Sequence, residues 1–271
     1  MSQTHRVKLS REVRFGLSTE TPPNLSHTRN GFAGEPALTG IAPFLTLTAR
    51  VIGNVDAKTG MLVNIRLIDD VLRGAAVDMV RAYISVKPGA GGGDLLVAMF
   101  ASLTRHMAGE THLELAELEL GLSPWLRLTI TKERPEMVQM TERFEFSAAH
   151  RLMSPALSDA ENRAVFGRCY NPNGHGHNYE LEVTIEGEPH AQTGLVMHVG
   201  ELQRLVNEHV IDVLDHKHLN IDCSEFATLN PTVENIARII HEKLVPAFRG
   251  PAQLRRVRVW ETPKTWAEYP A

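Results

Sequence analysis

NGHGHNYELEVTIEGEPHAQTG, residues 173–194, superposes without gaps on TGIAPFLTLTARVIGNVDAKTG, residues 39–60, at an offset of 134 (173 − 39 = 134). Gly174 falls on Gly40, Gly187 on Gly53, Thr193-Gly194 on Thr59-Gly60, and Phe166 on Phe32. Downstream, TGMLVNIRLIDDVLR (59–73) and TGLVMHVGELQRLV (193–206) both turn from an extended apolar piece into a helical pattern. LELGLSP (118–124) matches VRVWETP (257–263), with Pro124 on Pro263. Self-similarity at one long period marks a repeated structural unit. Two units are therefore expected, residues 1–134 and 135–271, joined near TKERPEM (131–137), where charge and Pro135 break the pattern.

The second copy shows the order of elements. ERFEFSAAH (142–150) alternates like a strand, and NYELEVTIEG (178–187) puts Tyr179, Leu181, Val183 and Ile185 on one face. ELQRLVNEHVIDVL (201–214) has the three-and-four apolar spacing of a helix. So does PTVENIARIIHEKLVPAF (231–248), with Thr232 as its cap. LRRVRVWET (254–262) alternates again. The outline is β-β-α-α-β-β, an α+β unit with a four-stranded antiparallel sheet and two helices on one face. Open edges of such a sheet favour side-by-side assembly of units, so a homo-oligomer is expected.

Composition narrows the class of function. Of 271 residues, 43% are apolar and 22% charged, as in a globular chain, and a net charge of -4 argues against nucleic acid as partner. No stretch reaches the length of a membrane span, and the N-terminal MSQTHRVKLSREVRF has no apolar leader core. Cys169 and Cys223 are the only cysteines, which fits a cytoplasmic protein without disulfides.

The reactive residues gather in the second copy. His175 and His177, two apart in an extended segment, project to one side and can grip one metal ion, while Gly174 and Gly176 let the backbone come close. His150 would supply a third imidazole from the neighbouring strand and leave an open coordination position, the pattern of a catalytic zinc. Alternatively, His150 is a strand-end residue paired with a carbonyl. Cys169 is either an inert thiol or a base or nucleophile beside the cation. Asp215-His216 is either a solvated helix end or a pair tuning proton transfer, and His216 with His218 is a rival metal pair. Glu261 is either an exposed strand-end carboxylate or an acceptor for two N–H donors of a flat heterocycle.

The first copy acts as an internal control. Ile41 stands for His175, Pro43 for His177, Glu35 for Cys169, Arg81-Ala82 for Asp215-His216 and Leu122 for Glu261. Framework residues recur and reactive ones vanish together, as expected of one functional set and a non-catalytic first copy.

In order, FSAAHRL, CYNPNGHGHNY, TGLVMHVGEL, LDHKHLN, NPTVENIA and VWET resemble the 6-pyruvoyl-tetrahydropterin synthases and their 6-carboxytetrahydropterin synthase relatives. The resemblance covers about residues 137–271 and implies two tandem tunnelling-fold units, the first degenerate. It further implies Zn2+ on His150, His175 and His177, catalysis by Cys169 with Asp215 and His216, and pterin binding by Glu261 and Thr232. The implied substrate is 7,8-dihydroneopterin triphosphate. Loss of triphosphate would give 6-pyruvoyl-tetrahydropterin, and the carboxy branch would release acetaldehyde as well. The five residues YNPNG between Cys169 and His175 match the spacing of the pyruvoyl enzymes. Two other functions compete, an aldolase-like removal of the pterin side chain and a non-catalytic pterin-binding scaffold.

Overall fold

The computed structural model describes residues 5–18, 30, 32–110 and 113–271. The first four residues of the N-terminal stretch examined for a leader lie outside them. Contacts divide the chain into two compact units, Met1–Met140 with Gly187–Val196, and Thr141–Glu186 with Met197–Ala271.

The first unit contains β1 (Arg6–Gly16), β2 (Phe44–Asn54), α1 (Ile65–Val71), a π-helical turn (Leu72–Ala76), α2 (Val77–Val86), α3 (Gly93–Glu110), β3 (Glu114–Gly121) and β4 (Leu126–Thr131). The strands pair antiparallel in the order β1-β2-β3-β4. Alternation fixes the register, because a slip of one residue would turn every apolar side chain to the wrong face. Val13 pairs with Leu47 and Leu47 with Leu120, which in turn faces Leu128, and all four are buried. The opposite face carries ions, with Arg50 2.5 Å from Glu117 and 3.4 Å from Glu119. Residues 187–196 join this unit through backbone bonds from Gly91 to Thr193 and from Gly93 to Gly194, each 2.8 Å.

The second unit contains most of β5 (Val138–His150), α4 (Asp159–Phe166), β6 (His175–Gly187) but for its last residue, α5 (Val199–Val206), a π-helical turn (Asn207–Ile211) and α6 (Asp212–Leu214). It continues with β7 (Lys217–His218), α7 (Leu219–Asp222), α8 (Val233–Leu244), β8 (Gln253–Thr262) and β9 (Thr265–Tyr269). Tyr179, Leu181, Val183 and Ile185 are all fully buried, and the last three face Val259, Val257 and Leu254 of β8. α8 covers β8 and β9 with Ile236, Ile240 and Leu244 buried.

Two expectations are corrected. Nine strands are present among the described residues, so the second unit has five strands rather than four. The extra one, β7, is parallel to β5, because Asp215 and the His216 backbone bond Ser147 and draw the chain alongside. Helices are also more numerous than two per unit. α4 sits between β5 and β6, started by a capping box in which Ser158 and Glu161 satisfy each other's backbone N–H.

Several local features recur between the units at the sequence offset of 134. β-bulges fall at Arg50/Val51 and Thr184/Ile185, and left-handed glycines at Gly60 (φ 69°) and Gly194 (φ 66°). The helix caps Asn64 and His198 each accept from the backbone two residues on. A π-helical turn also follows α1 and α5, one residue off that offset.

One carboxylate of the second unit lies in an unfavourable place. Glu142 is 7% exposed, and Gln203 donates to its Oε1 at 2.6 Å while Oε2 is buried without a partner among the described residues. Burial raises its pKa against the bond from Gln203. The folded chain therefore holds this proton where the unfolded chain has lost it, and stability falls as pH rises above the ordinary carboxyl range. Glu142→Gln should stabilise the protein by about 1–2 kcal/mol at pH 8 and much less at pH 4. Urea unfolding at both pH values tests this, and equal gains would contradict it.

Candidate active site

Three histidines converge in the second unit. His150 ends β5 fully buried, and His175 and His177 open β6 on one face. One ring nitrogen from each lies within 4.8 Å of the others. His150 Nδ1 donates to the carbonyl of Pro231 at 2.8 Å, which turns its Nε2 into the cluster, 3.1 Å from His175 Nε2. His150 is thus paired with a carbonyl, and that bond is what aims its other nitrogen at the neighbouring histidines. Glu261, at the end of β8, brings Oε1 to 3.3 Å from His150 Nε2 and 3.5 Å from His177 Nε2.

Burial favours the neutral form of two of these rings, His150 and His175. Burial pushes the His150 pKa down to about 4, opposed by the Pro231 bond and reinforced by the neighbouring imidazoles. His175 is lowered by burial and by His177. Neutral imidazole is the ligand form. Among the described residues His177 Nε2 is buried with no hydrogen-bond partner, and the lone pairs of His150 Nε2 and His175 Nε2, 3.1 Å apart, cannot satisfy each other. A divalent cation at their centre would satisfy all three, so the donor set fits a metal of the zinc type.

The remaining expected residues are placed as follows. Cys169 lies partly exposed in a 3₁₀ turn, Gly167–Tyr170, after α4, and its carbonyl accepts from the Leu152 amide at 2.9 Å. That bond brings the Cys169 turn alongside the residues that follow His150, and a thiolate there would add to burial and Glu261 in raising the pKa of Tyr179. Asp215 accepts from the Ser147 amide at 2.7 Å and holds His216 Nδ1 at 2.7 Å. The first of these bonds is the larger cause of its lowered pKa. His216 has φ 55°, a strained conformation for a non-glycine residue, and its ring is 82% exposed. No hydrogen bond or ion pair joins it to Cys169 among the described residues. Thr232 caps α8, its hydroxyl 3.4 Å from the Asn235 amide.

The rival pair His216/His218 is pulled apart. His216 faces solvent, whereas a side chain on Gly174 would meet His218 Nε2, so His218 abuts the loop before His175. Strand alternation marks Tyr179 as core alone. Its hydroxyl is 3.4 Å from His150 Nδ1 and its ring stacks on Phe146 at 4.9 Å. Nothing in strand alternation separates a core tyrosine from one whose hydroxyl reaches a site.

A model of the 6-pyruvoyl tetrahydropterin synthase family matches residues 139–271, the segment that holds all these side chains. The chain is 43% identical over 130 residues to the 6-pyruvoyl tetrahydrobiopterin synthase of Drosophila melanogaster, covering 48% of this chain and 77% of that one. It is 44% identical over 124 residues to the Homo sapiens enzyme of the same name, covering 46% and 85%. The solved structure of Caenorhabditis elegans 6-pyruvoyl tetrahydropterin synthase is 41% identical and covers 50% of this chain and 96% of its own, with a TM-score of 0.48. The chain belongs to the 6-pyruvoyl tetrahydropterin synthase family.

Gly174 gives a direct test of how tightly the site is built. Its φ is 71°, and an added Cβ would lie 2.7 Å from His218 Nε2 and 2.8 Å from the His150 carbonyl oxygen. Gly174→Ala should cost about 1–3 kcal/mol of stability and weaken metal uptake. Thermal unfolding and metal analysis check the two effects.

Proposed function

We propose that this chain is a zinc-dependent lyase that converts 7,8-dihydroneopterin triphosphate to 6-pyruvoyl-tetrahydropterin with loss of triphosphate. The observation that carries the proposal is the convergence of His150, His175 and His177 on one point, with Glu261 and the neighbourhood of Cys169 around it. Both relatives described above carry the pyruvoyl name, and the YNPNG spacer after Cys169 supports that branch over the carboxy one.

The chain's own residues would divide the work. His150, His175 and His177 would hold zinc, which supplies Lewis-acid polarisation of the side-chain oxygens when bound. Cys169, as thiolate, would take a carbon-bound proton. Asp215 holds the His216 ring by its Nδ1, which leaves Nε2 free to carry protons at the exposed edge. Glu261 would anchor the pterin ring through two N–H donors, and the segment with Thr232 would line that pocket.

The recurrence of bulge, left-handed glycine and helix cap at one offset supports a tandem tunnelling-fold chain. In it, residues 135–271 are the catalytic copy and 1–134 a copy without ligands. The exposed His216 ring, which has no hydrogen bond to Cys169 among the described residues, supports a homo-oligomer whose copies complete each other's sites. Two free cysteines fit a cytoplasmic setting.

Incubation with 7,8-dihydroneopterin triphosphate followed by mass spectrometry tests the reaction, and acetaldehyde release would assign the carboxy branch instead. Cys169→Ala should retain zinc and lose product by about two orders of magnitude or more, while His175→Ala should lose both. Full activity of Cys169→Ala would exclude the proposed role of the thiol.

A further inference from the structure

Arg151 follows His150 directly, and Tyr170 follows Cys169 directly. The amide of Leu152 bonds the Cys169 carbonyl at 2.9 Å, so the two short segments run side by side. The guanidinium of Arg151 lies 4.2 Å over the Tyr170 ring, a stacked cation. Its backbone is fixed on both sides by Asn220, whose Oδ1 accepts from the Arg151 amide at 2.8 Å and whose Nδ2 donates to the Arg151 carbonyl at 3.1 Å.

What this guanidinium lacks is an acceptor. Among the described residues, Nε of Arg151 is buried with no hydrogen-bond partner. The nearby carboxylate is already engaged, since Asp159 accepts from the Tyr170 hydroxyl at 2.7 Å and from Arg163 Nε at 3.0 Å. A buried, unpaired donor on a charged group is costly unless something outside the chain completes it. The planar fork of an arginine suits phosphate oxygens, and a tyrosine platform pre-orients it. At the offset of 134, Leu17 and Pro36 replace Arg151 and Tyr170, so cation and platform are missing from the first half together with the reactive residues.

We propose that Arg151, stacked on Tyr170, binds the triphosphate chain of the pterin substrate and so sets the preference for the phosphorylated compound. The proposal rests on the pterin reading above. In the elimination assigned there, a C–H proton passes to Cys169, its electron pair forms a carbon–carbon double bond, and the C–O pair leaves with triphosphate. A cation that follows His150 in sequence and stacks on the residue after Cys169 is placed to hold that leaving group.

The test is binding to the full-length, metal-loaded Cys169→Ala chain, which prevents turnover. Fluorescence titration compares 7,8-dihydroneopterin triphosphate with 7,8-dihydroneopterin, which lacks phosphate. The parent should prefer the triphosphate by about tenfold or more. Arg151→Met should erase that preference and leave affinity for the unphosphorylated pterin unchanged. Arg151→Lys should restore part of it, and Arg163→Gln should retain it, because Arg163 is committed to Asp159. A preference retained by Arg151→Met, absent from the parent, or lost along with all pterin affinity in the variant overturns the assignment while the pterin reading stands. A parent that binds neither pterin overturns the pterin reading, and this assignment with it.

Discussion

The bond from His150 Nδ1 to the Pro231 carbonyl is the constraint on which the site depends. It ties the end of β5 to the residue just before the Thr232 cap of α8, so strand and helix fix one another. It also settles the tautomer, since a ring that donates from Nδ1 presents a lone pair at Nε2. Burial then keeps that ring neutral, and β6 delivers two more imidazoles to the same point. Cluster geometry is thus a consequence of how the second unit packs.

The surroundings are held as firmly as the ligands. Gly174 uses a left-handed conformation to pass under His150 and His218, where no side chain fits. The capping box of α4 sets the start of the helix that leads into the Cys169 turn. Ser147 holds Asp215 through its amide and the His216 amide through its carbonyl, and the cost is a positive φ at His216. Strain of that kind persists only where surrounding bonds over-determine it. A fixed Asp-His pair at an exposed edge, next to β5, is the outcome.

Much of the fold is legible in the sequence because alternation is a strong signal. Tyr179, Leu181, Val183 and Ile185 announce a buried face, and all four are buried. The HxH pair with its flanking glycines and the histidine closing FSAAH announce the cluster, since spacing of two in a strand has one geometrical meaning. By contrast, β7 has only two residues, and no periodicity can be read from so short a piece. α4 carried a readable Ser-x-x-Glu signal, but its polar, short pattern lacks the apolar period that marks longer helices.

The sequence by itself determined the strand faces, the helix that Thr232 caps and the set of residues present in one half and absent from the other, because these depend on local period and position. Tertiary structure alone decided which nitrogen of His150 faces the cluster, that His218 and not His216 turns toward it, and that Tyr179 is more than core. It also decided that Arg151 finds a ring to stack on but no acceptor. Those outcomes rest on contacts between segments tens of residues apart, such as His150 with Pro231, and such contacts have no local pattern in the chain.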